Sequence, residues 1–239
     1  MTGYSVKRAI ILAAGFGSRM VPVTLDRPKP LVRVNGVRII DTQLDALLDA
    51  GIDDITIVRG YKKECFDELL PKYPMLKFVD NPLYGSTNSI SSARAALDLI
   101  EGGCYIGEAD LMISNPDIIR KWHTSSDYLG TFVRETGDWC LSERDGYACD
   151  YRKGGFDCFN CYGISCWNPE DCERLRADIE SVWNEEGGKD VFWEFVPLVL
   201  RPKDYKVKIH ECGKGDVVEI DTFRELVAID PSYKNYPKQ

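Results

Sequence analysis

Six consecutive apolar residues, Ala9 to Ala14, lead directly into a loop rich in glycine and proline. A strand whose side chains are apolar on both sides is typical of a parallel sheet that helices cover on both faces. Successive side chains of a strand point to opposite faces, so an open face would leave half of these residues in water. The segment therefore predicts a buried central strand.

Strand and helix signals alternate after this segment. Helical spacing of apolar residues occurs over 44–48 and 90–100, and strand-like apolar runs occur over 55–58, 76–79 and 104–107. From about 127 to 167 the pattern changes to short strands rich in Tyr, Phe, Cys and Trp. This order predicts an α/β fold with a Rossmann-like, doubly wound, mainly parallel sheet and a small β-rich insertion. We interpret the whole chain, 1–239, as one domain.

Composition and charge exclude several classes of protein. The net charge of −8, without a basic stripe, argues against a nucleic-acid-binding protein. No apolar run approaches the roughly 20 residues that span a bilayer, and the N-terminal segment lacks the apolar core of a signal peptide. We expect a cytoplasmic protein that binds neither nucleic acid nor membrane and whose nine cysteines are reduced thiols. A monomer and a homodimer both remain open.

The loop from Gly15 to Pro30 carries the strongest chemical signal. Gly15 and Gly17 let the backbone approach an anion with its amide groups directed at it. Arg19 and Lys29 add two cations, and three prolines stiffen the loop. Such a loop suits a triphosphate. Its spacing matches neither GxxxxGK[ST] nor GxGxxG, so spacing alone also allows a flexible connection with incidental charges.

Two aspartates follow predicted strands. Asp110 stands just beyond the strand at 104–107, at the carboxyl end where open α/β sheets place ligands. Asp221 precedes a helix start that Thr222 and Glu225 mark with the spacing of a capping box. Magnesium prefers one or two carboxylates, so the pair is a candidate metal site. Without further information, a turn residue and a helix-start residue are equally good readings.

The segment from Leu12 to Leu31 resembles the LAAGxGxR…PKPL motif of the nucleotidyltransferase family that makes NDP-sugars and CDP-alcohols. In that family the loop wraps the triphosphate, the arginine neutralises the departing pyrophosphate, and the lysine stabilises charge around the α-phosphate. The resemblance implies that Arg19 and Lys29 are catalytic and that Asp110 and Asp221 hold Mg²⁺. The nucleotide-binding residues that it implies in the loop are Leu12, Ala13, Ala14, Gly15, Gly17 and Ser18.

Three further stretches are similar to the CTP:phosphocholine cytidylyltransferases of that family. The first, 81–92, is similar to their N-x-x-Y…N-N-x-x-S segment, with Ser89 in place of the second asparagine. It implies nucleotide contacts at Tyr84, Thr87 and Asn88. The others, 189–194 and 218–221, are similar to a D-x-aromatic-aromatic-acid run on the acceptor side and to an E-I-D sequence. The acceptor-binding residues that the resemblance implies are Trp139, Asp190, Phe192, Trp193, Glu194 and Glu219.

Chemistry also favours a cationic acceptor. A quaternary ammonium cannot donate hydrogen bonds, so selective sites surround it with aromatic faces and carboxylates, and 126–230 is rich in both. We expect CTP and phosphocholine to give CDP-choline and pyrophosphate, with a nucleotide-binding half at about 1–125 and an acceptor-binding part at about 126–230. Alternative acceptors for CTP are 2-aminoethylphosphonate and phosphoethanolamine, both small amines that carry the attacking phosphorus group. A sugar-1-phosphate nucleotidyltransferase is a further alternative, and a non-catalytic nucleotide-binding regulator is disfavoured because all four charged positions are present.

Overall fold

The polypeptide from residue 3 to residue 237, which a computed structural model describes, folds around one seven-stranded sheet. The predicted domain limits at 1 and 239 lie outside the described residues. The strands are β1 (Tyr4–Ser5), β2 (Arg8–Ala13), β3 (Arg33–Val34), β4 (Val37–Arg38), β5 (Asp54–Arg59), β6 (Lys77–Asp80), β7 (Cys104–Glu108), β8 (Leu111–Ile113), β9 (Trp122–His123), β10 (Asp127–Arg144), β11 (Tyr147–Trp167), β12 (Lys208–Glu211) and β13 (Val217–Glu219). The α-helices are α1 (Ile39–Asp49), α2 (Ile90–Ala95), α3 (Pro169–Trp183) and α4 (Phe223–Ile229). Within residues 3–237, no helix has both the length and the apolar character needed to cross a membrane.

The strand order in the large sheet is β12-β10-β11-β7-β2-β5-β6. β2 pairs in parallel with β5 and with β7, and β5 pairs in parallel with β6. β11 is antiparallel to β7 and to β10, whereas β12 is parallel to β10. Six of the seven strands therefore run in one direction and β11 opposes them. The predicted mainly parallel α/β fold is confirmed.

The central strand β2 sends alternate side chains into two cores. Ile11 packs with residues of α1 on one face of the sheet. Ile10 and Leu12 pack with residues of α2 and α3 on the other face. Burial of one such side chain contributes about 1.5–3 kcal/mol. The apolar run at 9–14 thus forms a buried central strand, as the sequence predicts.

The predicted short strands at 127–167 are instead one long hairpin, β10–β11. Only its base belongs to the central sheet, because 127–130 pair with β12 and 164–167 pair with β7. Beyond the base, a bulge places 137 and 138 opposite the single residue Gly154, and the hairpin folds back so that Leu141 is buried in the core that it shares with Ile10 and Leu12. The sequence prediction was wrong here because the glycines at the bulge look like strand ends.

A third, smaller core joins the Gly15–Pro30 loop to the C-terminal segment. Met20 and Val32 pack there with Ile220 and Leu226, and all four side chains have 0% exposure. The neighbouring strand β13 pairs with β8, which fixes the segment from a second side. Asp221 is therefore held against the loop that carries Arg19 and Lys29.

Candidate active site

Three adjoining cavities lie at the carboxyl ends of β2 and β7. We call them the loop cavity, the aromatic cavity (around Trp139, Tyr151 and Phe192) and the serine cavity (around Ser89, Ser91 and Ser92). Their volumes are about 220, 240 and 220 Å³. The loop cavity is lined by Leu12, Ala13, Gly15, Gly17, Arg19, Lys29, Pro30, Glu108, Ala109, Asp110 and Asp221. Glu108 lines all three cavities, so it marks the point where they meet.

The glycine-rich loop is fixed by contacts that the sequence does not reveal. Gly17 has a φ of 68°, and a Cβ on it would lie 3.1 Å from the Cβ of Lys29, so glycine is required for the close approach. The buried Thr24 hydroxyl donates to the Gly17 carbonyl at 3.0 Å. The Tyr61 hydroxyl donates in turn to the Thr24 carbonyl at 2.9 Å. These contacts set the position of Lys29 relative to the end of β2.

Four of the predicted charged residues form one ion-pair network. The Lys29 ammonium lies 2.8 Å from an oxygen of Asp110 and 2.8 Å from an oxygen of Asp221. Arg19 contacts both oxygens of Asp221, at 2.9 and 3.0 Å. Burial alone would lower the pKa of Lys29, but the two carboxylates outweigh it and raise that pKa. Lys29 therefore stays charged at neutral pH although it is only 7% exposed.

Glu219 joins the two aspartates in the one group of three potential metal-ligating side chains among residues 3–237. One oxygen from each of Asp110, Glu219 and Asp221 lies within 4.8 Å of the others. Burial, followed by the charges of the two aspartates, raises the pKa of Glu219 to about 8. Glu219 also lines the aromatic cavity, where the sequence predicts an acceptor contact. Oxygen ligands in this number suit a hard divalent cation such as Mg²⁺.

The predicted nucleotide contacts Tyr84, Thr87 and Asn88 line the serine cavity, next to the end of β2. The Tyr84 ring lies directly against Gly60, where a Cβ would come within 2.7 Å of it. The Asn88 side chain donates to the backbone carbonyl of Asp190 at 3.1 Å, which ties this cavity to the 190–194 segment. Two predicted loop residues do not line the loop cavity: Ala14 lines the serine cavity, and Ser18 is exposed beside the loop cavity.

The aromatic cavity combines stacked rings with carboxyl groups, of which Glu194 is buried and Glu108 is half-buried. Trp139 stacks on Tyr151 with ring centroids 5.2 Å apart, and Phe192 meets Trp139 edge-on at 5.8 Å. Burial raises the pKa of Glu194 to about 7, and the charge of Asp110 adds to that rise. Burial and the neighbouring Glu194 likewise raise the pKa of Glu108 well above its usual range. The cavity thus offers apolar faces together with carboxyl groups whose charged form a nearby cation would stabilise.

The structure corrects two of the predicted acceptor contacts. The Trp193 side chain has 0% exposure and packs against Trp167, with ring centroids 6.1 Å apart. Phe192 and Glu194 line the aromatic cavity, and Trp193 between them points the other way, into the core. The Asp190 side chain lines a separate surface depression with Trp183 and therefore does not reach the aromatic cavity.

Several cavity residues were missed by the sequence analysis: Asp138, Tyr151 and Lys153. Tyr151 and Lys153 are two positions apart on β11, and Lys153 pairs with Trp139 across the hairpin. Period-two spacing opposite Trp139 is the signal that could have indicated them. It is visible only when the register of the hairpin is known.

Comparison with known proteins agrees with this geometry. The sequence profile of the MobA-like NTP transferase domain matches residues 9–192. The 2-aminoethylphosphonate cytidylyltransferase of Lancefieldella rimae is 38% identical over 228 residues, which cover 94% of this chain and 92% of that relative. The choline-phosphate cytidylyltransferase of Streptococcus pneumoniae is 29% identical over 234 residues, covering 95% of this chain and 99% of that relative. The solved structure of the Streptococcus pneumoniae CTP:phosphocholine cytidylyltransferase matches with a TM-score of 0.86 at 29% identity, covering 95% of this chain and 99% of that chain.

We expect Lys29→Ala to lower the rate of pyrophosphate release from an NTP at least a hundredfold. Loss of one preplaced charge at a reacting phosphate costs about 3–4 kcal/mol of transition-state stabilisation. Lys203→Ala, at an exposed lysine that lines none of the three cavities, is the matched control and should keep normal turnover. Circular dichroism establishes that both variants are folded. A folded Lys29→Ala protein with near-normal kcat would contradict the role of this lysine.

Proposed function

Because the chain belongs to the MobA-like NTP transferase family, we propose that it transfers the cytidylyl group of CTP to a small phosphonate or phosphate ester with an amine head group. The chain is a nucleotidyltransferase of the cytidylyltransferase type, as its relatives and fold show. Our first candidate acceptor is 2-aminoethylphosphonate. The observation that carries this choice is the pair of carboxyl groups, the buried Glu194 and the half-buried Glu219, in the aromatic cavity.

In the proposed reaction an oxygen of the acceptor attacks the α-phosphorus of CTP in line with the departing group. The new P–O bond forms as the bond to the β-phosphate oxygen breaks, and pyrophosphate leaves with the bonding electron pair. Lys29 neutralises charge at the α-phosphate, and Arg19 neutralises the leaving pyrophosphate. No side chain has to act as a base because the attacking oxygen is already anionic. The rate enhancement would come from positioning and preorganised charge.

Mg²⁺ is the proposed cofactor, held by Asp110 and Asp221 with Glu219 as a third oxygen donor. Support comes from the mutual approach of their oxygens within 4.8 Å. The cation would supply positive charge that offsets the charge of the triphosphate and of the leaving pyrophosphate. Lys29 and Arg19 together balance the two aspartates in the ion-pair network. Glu219 is therefore the carboxylate that has no cation of its own in that network.

A primary amine suits the aromatic cavity because it offers three N–H donors to hydrogen-bond acceptors. Glu194, Glu219 and Glu108 all line this cavity and can accept such bonds. The removal of Trp193 from the predicted aromatic set leaves fewer rings to surround a bulky quaternary ammonium. The 38% identity to a 2-aminoethylphosphonate cytidylyltransferase over 94% of this chain gives independent support.

Phosphocholine is the second candidate acceptor. The stacked Trp139 and Tyr151 rings and the edge of Phe192 form apolar faces of the kind that bind methylated ammonium groups. The similarity to the Streptococcus pneumoniae enzyme also extends over 95% of this chain. The two candidates differ in which contact dominates, since only the primary amine donates hydrogen bonds to the carboxylates.

A comparison of 2-aminoethylphosphonate, phosphoethanolamine, phosphocholine and glucose-1-phosphate with CTP, followed by pyrophosphate release, tests the acceptor. We expect the highest kcat/KM for 2-aminoethylphosphonate and a loss of about tenfold or more with Glu194→Gln, because that change removes a buried charged hydrogen-bond partner. Trp139→Ala should have the smaller effect on this acceptor. The opposite ranking of the two variants, with phosphocholine as the better substrate, would instead favour the choline reading.

The proposed metal site predicts that Asp110→Asn and Asp221→Asn each raise the Mg²⁺ concentration needed for half-maximal rate by at least about tenfold, since each removes one charged ligand. Asp138→Asn is the matched control, since Asp138 lines the aromatic cavity but is not in the metal-ligating group. Titration of the rate with Mg²⁺ measures the effect. A wild-type Mg²⁺ response in either ligand variant would remove that residue from the site.

The raised pKa of Glu194, about 7, predicts a pH-dependent KM for the acceptor. Below pH 7 the carboxyl group is mostly protonated, and above pH 7 it carries the charge that attracts an ammonium. The KM should therefore fall as pH rises from 6 to 8, by up to about tenfold per pH unit below the pKa. The phosphonate also titrates, so Glu194→Gln is measured in parallel. Its profile should lose the contribution of Glu194 and keep the titrations of the acceptor and of Glu219, and identical profiles in both proteins would refute the role of Glu194.

A further inference from the structure

The connection between β13 and α4 carries one of the two carboxylates that Lys29 bridges. Asp221 is the middle residue of the three that separate Glu219, at the end of β13, from Phe223, at the start of α4. Its side chain accepts hydrogen bonds from Lys29 at 2.8 Å and from Arg19 at 3.0 Å. A carboxylate on so short a connection keeps its direction only if the backbone of the connection is held.

Glu225 holds this backbone through two hydrogen bonds to one carboxylate oxygen. Its Oε2 accepts from the backbone amide of Asp221 at 2.9 Å and from that of Thr222 at 2.8 Å. The Thr222 hydroxyl accepts in return from the Glu225 amide at 3.2 Å. The bonds between Thr222 and Glu225 are those of a capping box. The bond from Asp221 is additional, and it reaches the residue whose side chain enters the loop cavity.

The elements on both sides of this cap are anchored to the phosphate loop. Ile220 and Leu226 are fully buried and share a core with Met20, the residue after Arg19. Because these anchors stay in place, the loss of the Glu225 carboxylate would release mainly the backbone at 221 and 222. The Asp221 carboxylate would then lose its fixed distance from Asp110 and Glu219.

We propose that Glu225 is a positioning residue that sets the direction of Asp221 and thereby the affinity of the divalent cation, which rests on the metal site of the proposed function. Glu225 is absent from the described residues that line the loop and aromatic cavities, so it acts through the backbone of Asp221 and Thr222. The two backbone hydrogen bonds, and not the negative charge of Glu225, carry the effect.

Binding of Mn²⁺ to the protein in the presence of CTP, followed by electron paramagnetic resonance, tests this role. Glu225→Ala should weaken Mn²⁺ binding about tenfold, whereas kcat at saturating metal should change less than threefold. Glu225→Gln should bind Mn²⁺ within threefold of wild type, because its amide oxygen can accept the same two hydrogen bonds. Thr222→Ala is the matched control, since it breaks the capping box but leaves the bond from Asp221 to Glu225. It should lower the melting temperature as Glu225→Ala does and keep Mn²⁺ affinity within twofold of wild type.

Equal weakening of Mn²⁺ binding by Glu225→Ala and Thr222→Ala would overturn the proposal, since Glu225 would then act only as a helix cap. Failure of Glu225→Gln to restore binding would also overturn it, because charge would be the cause. If Glu225→Ala does not fold, Glu225→Asp, whose shorter side chain cannot keep both bonds, should show an intermediate loss, and wild-type affinity there would count against the role. Asp221→Asn distinguishes failure of the Glu225 role from failure of the metal site. Weak Mn²⁺ binding in Asp221→Asn with normal binding in Glu225→Ala defeats the Glu225 role alone. Normal binding in Asp221→Asn defeats the metal site and this inference together.

Discussion

The position of one buried ammonium group determines how the rest of the site is built. Lys29 is 7% exposed, and a charge in that environment is tolerated only when opposite charges and hydrogen bonds surround it. Asp110 and Asp221 meet this need, each at 2.8 Å, although they lie far from Lys29 along the chain. The end of β7, the connection before α4 and the glycine-rich loop must therefore meet at one point. The close approach of Gly17 to Lys29 and the small core around Met20 and Ile220 hold these three segments together.

The carboxyl groups around Lys29 outnumber the cations that pair with them. Lys29 and Arg19 balance the two aspartates, while Glu219, Glu194 and Glu108 lie close by with raised pKa values. In the free protein some of these groups hold protons at neutral pH. A cation that enters either cavity favours release of those protons. The carboxylates formed in this way carry negative charge and attract the cation more strongly. The carboxylates that remain charged would repel an anion that binds without an accompanying cation.

Sequence reasoning predicted the parts of the molecule whose structure follows from neighbours along the chain. The run at 9–14, the loop and the aspartate after β7 belong to this group, because strand ends in a parallel sheet have a known direction. The capping box at Thr222 and Glu225 is equally local. The hairpin was harder, since the bulge opposite Gly154 sets which side chains face the cavity, and a shift of one residue reverses that choice. Trp193 was misassigned for a different reason, because it lies in a turn, where only the packing of its ring against Trp167 determines that it points into the core.

The long hairpin pairs with the central strands only at its base, and this separates the wall of the aromatic cavity from the ion-pair network around Lys29. Trp139, Tyr151 and Lys153 belong to the bulged part of the hairpin, whereas the glycine-rich loop and Asp110 follow the central strands β2 and β7. Substitutions in the bulged part can reshape the cavity wall while the ion-pair network around Lys29 keeps its geometry. A scaffold of this kind can diversify toward new head groups by small steps, since each intermediate sequence would retain a working centre for phosphorus chemistry.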